Sequence, residues 1–494
     1  MSAGLSRAAD FIAAARDAVA GDRTAGAAVD RCARRLDEPV RIALAGSLKA
    51  GKSTLLNALV GQDIAPTDAT ECTRVVTWYR RGQVAAVTAR TTDGDARPIP
   101  VTRTAGRLGF DFGALTAAQV DHLDVEWPSR ALHTRTIVDT PGTASLSTEL
   151  SASTMSLLTP EEAQSGVDAV VYLMRSLSAA DTDMLRRISA SIGGGSGPLG
   201  VIGVVSRADE LGAGRMDAMI SAEQIAGRFA TELSRTGLCQ AVVPVAGLLA
   251  LGARTMREVE FRALTDLAAV PPNDLESALL SVDRFRRPDL LPHVDASLRA
   301  ALLERFGVFG IRLAVTLIRF GVTTSSQLAA DLVTRSGLAE LSNVIDVQFG
   351  QRADQLKAHS VLVTLDHVLA RHGGTAATDV RAAVRGALAD VHGFRELRLL
   401  NVIRCGGVAL TDEQADELGH LIGGHGVDAT SRLRLAPDSE EPEIRSAAVD
   451  AAQRWRALAD HPLLPVDTLS ACTTAVRSAE GIVAEIDSHA TPLR

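Results

Sequence analysis

Arg41-Ile42-Ala43-Leu44-Ala45-Gly46-Ser47-Leu48-Lys49-Ala50-Gly51-Lys52-Ser53-Thr54-Leu55-Leu56-Asn57-Ala58-Leu59 is the stretch that decides the fold. Residues 46–53 fit the phosphate-binding pattern GxxxxGK[ST]; a short buried strand precedes them and a helix follows. Lysine occurs only at positions 49, 52 and 357, while arginine is abundant, so Lys52 stands against a strong compositional bias. Its job excludes arginine, because a compact ammonium reaches between phosphate oxygens where a planar guanidinium is too wide. The expected phosphate contacts are Gly46, Ser47, Leu48, Lys49, Ala50, Gly51, Lys52, Ser53 and Thr54, with a positive helix N-terminus under the anion.

The rest of the chain frames this loop. At 494 residues it exceeds what one core normally supports, which predicts two or three domains. An apolar content of 46% with 22% charged residues is that of a globular protein, and the 3% aromatic content favours helices packed through Ala, Leu and Val. A formal charge of −8 argues against a nucleic-acid binder. Cys32, Cys72, Cys239, Cys405 and Cys472 are scattered, include no CxxC pair and suggest neither a disulfide framework nor a zinc site, so a reducing cytoplasm is expected. No signal peptide is visible. The uncharged run from Thr236 to Ala253 contains Gln240 and Pro244, and the run from Phe306 to Phe320 is short and carries Arg312 and Arg319, so any membrane contact is expected to be peripheral.

Three zones follow. Residues 1–38 read as two amphipathic helices, with Leu5, Ala8, Ile12, Ala15 and Val19 on one face of the first and Ala28, Cys32 and Leu36 continuing in the second after Gly21 and Gly26. Residues 39–255 alternate helical stretches with strands at 42–45, 75–79, 84–89, 132–138, 169–174, 201–205 and 241–245, which predicts a doubly wound, mostly parallel α/β sheet with ligand at the carboxyl ends of its strands. The glycine-rich segment 193–198 is expected to be a surface loop. Residues 256–494 read as an all-α bundle or stalk. One stripe there runs through Leu338, Leu341, Ile345, Phe349, Leu356 and Val363, and another through Leu469, Cys472, Val476, Ala479, Val483 and Ile486. The first two helices are expected beside the last ones.

Further motifs specify the nucleotide. After the strand ending at Val138, Asp139-Thr140-Pro141-Gly142 matches DxxG, whose carboxylate holds magnesium through water and whose glycine N–H touches the γ-phosphate. Ser206-Arg207-Ala208-Asp209 matches [NT]KxD with Ser and Arg in place of the usual residues; Asp209 can accept two hydrogen bonds from guanine that adenine cannot offer, while Arg207 covers the base with its stem. The competing reading makes Asp209 a mere helix cap. Ala246-Gly247 after the last strand is expected to give a backbone N–H to the guanine oxygen. Together these predict GTP or GDP as ligand with Mg, and Ser53, Asp139 and a switch threonine as metal ligands. Thr67, Thr70 and Thr73 compete for that last place.

Here the chain resembles the dynamin superfamily, in which GxxxxGKS-x-x-LNAL-x-G is followed by a Pro and then a Thr-Arg pair entering the next strand. Residues 46–61, Pro66 and Thr73-Arg74 match, so the resemblance picks Thr73. Helices on both sides of the GTPase domain fit bacterial dynamin-like proteins, and residues 71–79 with Ser206-Arg207-Ala208-Asp209-Glu210 look like the mycobacterial isoniazid-inducible Ini proteins, of the shorter type by length. The resemblance implies GTP hydrolysis stimulated when GTPase domains pair, as a homodimer or in a larger assembly, with or without a related dynamin-like protein, and remodelling of an anionic phospholipid membrane at the inner face of the plasma membrane. A GTP-bound scaffold with slow hydrolysis is the alternative. Dynamins place Gln and Ser where this chain has Leu48 and Lys49, so the usual water-positioning glutamine is missing. Lys49 is either a catalytic cation in its stead or a solvated lysine at the loop's edge.

The stalk's far end, with the membrane tip, is expected within 372–437. There Phe394, Leu397, Leu400 and Ile403 share one side of a segment carrying Arg395, Arg398 and Arg404, the pattern of a helix lying in an anionic bilayer surface. An ordinary bundle helix with a buried face reads the same way.

Overall fold

The structure, a computed structural model, describes residues 3–47, 49–66, 75–104, 107–113, 115–141, 166–192, 200–236, 238–287, 289–291, 294–372, 374–390, 392–404 and 408–489. The loop expected at 193–198 lies outside them. Two helices, α1 (Ala3–Ala18) and α2 (Arg23–Asp37), lead into β1 (Val40–Gly46), whose seven residues are all buried. A strand covered on both faces has no polar side to present, hence the apolar run from Ile42 to Ala45; its one charged residue, Arg41, is paired with Glu38. On one side β1 pairs in parallel with β8 (Arg135–Asp139), Leu44 opposite Asp139. On the other it pairs in parallel with β9 (Ala169–Met174), Gly46 opposite Leu173, followed by β10 (Val201–Ser206) and β11 (Ala241–Val245), also parallel. The carboxyl ends of β1, β8, β9 and β10 therefore meet at one edge, where ligands of open α/β sheets bind. Helices α3 (Lys52–Val60), α4 (Ala179–Ile192), α5 (Ala218–Arg235) and α6 (Gly247–Arg254) belong to this domain.

Beyond β8 the sheet changes character. β2 (Val76–Arg81) runs antiparallel to β8 and parallel to β7 (Val120–Trp127); β3 (Ala86–Thr91) and β4 (Ala96–Pro98) complete an order β11-β10-β9-β1-β8-β2-β7-β3-β4. A separate antiparallel pair joins β5 (Val101–Thr104) and β6 (Arg107–Phe110). The sequence pattern missed β4 to β7. β4 is exposed throughout, and in β7 buried and exposed positions mix, the alternation further broken where the register shifts between Arg90 and Thr91 of its partner. The strand expected at 132–138 begins only at Arg135, because Ser129 accepts a hydrogen bond from Ala131 N at 3.3 Å and winds residues 130–132 into a 3-10 turn.

The chain continues through α7 (Glu258–Ala269), α8 (Pro272–Ala278), α9 (Val282–Phe285), α10 (Ala296–Arg319) and α11 (Ser325–Arg335), which pack a core of their own with α6. The stripe expected along 338–371 is buried as read, but the helix is not continuous: α12 (Leu338–Ile345) passes through a π-turn at 346–350 into α13 (Ala353–His372). α13 turns into α14 (Thr375–Asp390), and these two, not the final helices, receive α1 and α2 in one core containing Leu5, Ile12, Val29, Leu362 and Leu365. The final helices have partners of their own. α15 (His392–Arg404), α16 (Asp412–Leu421), α17 (Ala429–Leu433), α18 (Glu441–Ala459) and α19 (Val466–His489) surround Trp455 and Cys472.

Of the face expected to lie on lipid, Leu397 and Leu400 are core and Ile403 is partly buried, while the Phe394 side chain lies outside the described residues. Leu397 and Leu400 are 0% and 3% exposed, and the neighbouring Glu396 accepts hydrogen bonds from Arg432 Nη2 at 2.6 Å and Ser478 Oγ at 2.7 Å. An apolar stripe is demanded equally by a bundle and by a membrane, and here the bundle uses it. Nor does 372–437 form one far end. The tip where α13 turns is marked by His372 Nδ1 3.1 Å from Asp22, whereas Gly424 returns to Gln348, whose Nε2 donates to its carbonyl at 2.9 Å.

Two buried cations fasten α2, one to α13 and the other to the sheet. Lys357 Nζ donates to Leu36 O at 2.9 Å, satisfying a carbonyl at the end of α2. Arg35 is fully buried and pairs with the equally buried Asp168, whose Oδ2 also accepts from Arg41 N at 2.7 Å. Burial, reinforced by repulsion from Arg41, pulls the Arg35 guanidinium down to about 9. Removing one partner strands the other in low dielectric, so Asp168→Ala is expected to cost about 3–5 kcal/mol in denaturant unfolding. A loss below about 1 kcal/mol, the range of an exposed pair, would refute this role.

Candidate nucleotide site

The site is built where β1 gives way to α3. Gly46 has φ 145, and a Cβ there would stand 2.2 Å from Leu173 O on β9, so only glycine lets the loop leave the sheet. Lys49 (φ 60) and Gly51 (φ 91) take left-handed conformations that curl the loop back on itself. At its exit Lys52, 9% exposed, donates from Nζ to Gly46 O at 3.3 Å and Ser47 O at 3.4 Å, closing the cradle that a phosphate would open. Burial lowers the Lys52 pKa, opposed by the charge of Asp139. Burial raises that of Asp139, opposed by Lys52 and by its hydrogen bond from Ser53. Both are polar groups held out of water in wait for charge.

Ser53 Oγ donates to Asp139 Oδ2 at 2.8 Å across the β1–β8 edge, and Asp139 Oδ1 is buried without a hydrogen-bond partner. Thr140 Oγ1 donates to Leu44 O at 2.8 Å and pins the chain just past β8. Leu48, Thr73 and Gly142 lie outside the described residues. Lys49 is exposed, as either of its readings requires.

Asp209 sits on the far side. Ser206 Oγ donates to Met174 O at 3.3 Å, Arg207 turns left-handed (φ 53), and the 3-10 turn from Ala208 to Ala213 presents the carboxylate. Glu210 bridges Arg207 Nη1 at 2.7 Å and Arg175 Nη2 at 3.1 Å, fixing the arginine beside the pocket. Asp209 is 8% exposed, and burial raises its pKa to about 6. A cavity of about 130 Å³ lies between it and the phosphate loop, lined by Ala50, Gly51, Thr54, Gly247 and Leu248 among others. One expectation is corrected. Ala246 N–H does not face this cavity's ligand, because it donates to Ser336 O at 2.9 Å; of the pair only Gly247 lines the pocket.

Three contributors were not among the expected site residues, although Asn57 lies in the LNAL stretch after the phosphate loop. Asn57 Oδ1 accepts from Ile64 N and Ala65 N at 2.9 and 2.7 Å, setting the start of the segment toward Thr73. Ser336 caps the end of β11. Gly307 breaks α10 with φ 65 and ψ 178, a conformation essentially confined to glycine, and its position would place a Cβ 3.6 Å from Asp209 Oδ2. Packing of Val308 and Phe309 against Gly214 seats this kink on the turn that carries Asp209. Gly307→Ala is therefore expected to cost about 1–3 kcal/mol of stability and to weaken GTP binding measured by calorimetry. Unchanged stability and affinity would show that the kink is incidental.

Comparison with known proteins agrees with this geometry. The dynamin family pattern matches residues 42–206. The isoniazid-induced protein IniC of Mycobacterium tuberculosis, in strains CDC 1551 and H37Rv, is 52% identical over 461 residues, 93% of this chain and 93% of that protein. A bacterial dynamin-like protein of Nostoc punctiforme is 44% identical over 54 residues, 11% of this chain and 8% of its own length. Among solved structures, an oligomerised bacterial dynamin pair described as a mechanism for long range sensing and tethering of membranes overlays 99% of this chain and 76% of that one, at 12% identity and TM-score 0.30, too loose to carry an argument.

Proposed function

The chain belongs to the dynamin-like GTPases of the isoniazid-induced IniC type, and from that premise we propose that it hydrolyses GTP with magnesium and couples nucleotide-dependent self-association to peripheral membrane binding and remodelling. The observation that carries the hydrolytic part is the Ser53–Asp139 pair with its orphaned Oδ1. A hydroxyl and a carboxylate with a buried, unbonded oxygen suit a hard divalent cation that takes oxygen ligands. Ser53 and Asp139 would hold magnesium, with Thr73 as the third ligand. When bound, the ion neutralises charge on the β- and γ-phosphates.

The remaining steps fall to the chain itself. Lys52 leaves its two carbonyls for the phosphates and sets its ammonium charge against theirs. Asp209 reads the N1–H and N2–H₂ edge of guanine while Arg207, held by Glu210, covers its face. Self-association is placed on the open cleft of about 840 Å³ beside Ser47, bordered by Arg175, Arg187, Arg207 and Glu210, since that cleft adjoins the nucleotide and is charged.

The membrane contact is placed at the turn between α18 and α19, on the cytoplasmic face of the plasma membrane. Leu463, Val466 and Leu469, within seven positions, are 84%, 81% and 42% exposed. Among the described residues no helix is long and apolar enough to cross a membrane. Side chains worth roughly 1.5–3 kcal/mol each on burial offset only part of the docking cost, so monomers bind weakly and assemblies bind through avidity. Flotation with anionic liposomes tests this: wild type floats better with GTP, and Leu463→Asp with Val466→Asp stays at the bottom while basal GTPase activity persists. A double variant that floats like wild type overturns the placement.

A further inference from the structure

Away from the nucleotide, α16 and the turn after it gather three metal-ligating side chains. Asp416 and His420 stand one helical turn apart on the same face of α16. The chain then reverses through Gly423 (φ 80) and Gly426 (φ 158). A Cβ on Gly424 would meet Gly419 O at 2.7 Å, so the reversal is as tight as glycine permits. It returns His425 over His420, ring centroids 4.0 Å apart and planes 18° apart. One donor atom from each of Asp416, His420 and His425 lies within 4.8 Å of the others.

Two contacts outside the trio orient it. His420 Nδ1 is 3.3 Å from Ser431 O; a carbonyl only accepts, so Nδ1 carries the hydrogen and Nε2 is left as the lone-pair donor. That arrangement, a backbone carbonyl fixing the tautomer of a ligating imidazole, is the usual support of metal-bound histidine. Arg434 Nη2 donates to Asp416 Oδ2, leaving the other carboxylate oxygen for a ligand. Metal–ligand bonds of about 2.0–2.2 Å require the three donors to close in by roughly an ångström, within the reach of side-chain rotation.

We propose that Asp416, His420 and His425 form a binding site for zinc or a similar borderline first-row divalent cation, with water completing the coordination. Two imidazoles and one carboxylate favour such ions over magnesium and calcium, which take all-oxygen sets. The site has a structural consequence. The turn bearing His425 is tied to the junction between α12 and α13: Gln348 Nε2 donates to Gly424 O at 2.9 Å, and Arg352 Nη2 donates to Ile422 O at 3.2 Å and to Gly423 O. A metal that binds His420 to His425 clamps this turn, and with it the π-turn where the GTPase domain meets the stalk. The inference is independent of what the nucleotide site does.

The test uses the full chain, stripped with EDTA and kept free of nucleotide, titrated with Co²⁺ and then Zn²⁺. The expected result is cobalt d–d absorption saturating at one ion per chain, displacement by stoichiometric Zn²⁺, and a zinc-dependent rise in Tm that magnesium does not reproduce. His425→Gln, at an exposed position, is expected to fold normally and to weaken zinc binding on the order of 100-fold. His420→Gln should do the same, and Arg434→Ala should weaken binding about 10–100-fold through the orientation of Asp416. No cobalt spectrum in wild type, or equal zinc affinity in wild type and His425→Gln, overturns the proposal and marks any bound ion as adventitious.

Discussion

Lys52→Ala is expected to abolish productive GTP turnover, lowering the rate by at least a factor on the order of 10²–10³, the scale of losing one charged stabiliser aimed at developing negative charge. The geometry explains the severity. Lys52 is 9% exposed and already turned toward the carbonyls of Gly46 and Ser47, so it meets the phosphates at short range in a medium with little water to screen it. Alanine leaves the loop's backbone intact but removes the compensating charge. Near-normal turnover in purified Lys52→Ala protein would sink the assignment of this loop.

The second large effect concerns the base. Asp209→Asn is expected to weaken GTP binding by roughly 2–5 kcal/mol, the loss seen for truncated, desolvated charge pairs, and to improve binding of xanthosine triphosphate, whose donor and acceptor order suits an amide. Its pH dependence is a separate signature. Burial raises the Asp209 pKa to about 6, so the folded protein holds this proton more tightly than the unfolded chain does. The group therefore costs nothing at low pH and costs stability as pH rises from about 4 through the folded value. Guanine reading has the opposite sense, since only the carboxylate accepts both hydrogen bonds. GTP affinity of wild type should fall as pH drops through about 6, a step that Asp209→Asn lacks. Equal wild-type affinity for GTP and ATP would show that Asp209 does not read the base.

Where sequence sufficed, the chemistry was local. Gly46 to Ser53 crowd a whole phosphate cradle into eight positions, and Asp139 ends β8 after the apolar Ile137-Val138 while Asp209 follows the buried β10, so register carries them to the sheet edge. Parallel strands buried on both faces announce themselves by Val and Ile runs. β7 does not, because its outward positions hold Asp121, His122 and Glu126. Long-range partners leave no trace either: nothing in the spacing of Ser336 or Gly307 says that one occupies the Ala246 N–H and the other abuts Asp209. The amphipathic stripe through Leu397 and Leu400 was ambiguous for a different reason, since lipid and a bundle core demand the same pattern. The third lysine reads as structural only once Leu36 O is seen at its tip.

The function proposed for this chain is magnesium-dependent, guanine-specific nucleotide hydrolysis. The most direct measurement is phosphate release by the purified protein from GTP and from ATP, each with magnesium and with EDTA. Release from GTP alone, and only with magnesium, is the result expected from the Ser53–Asp139 pair and Asp209. Release that persists in EDTA, or that is equal for the two nucleotides, would contradict it.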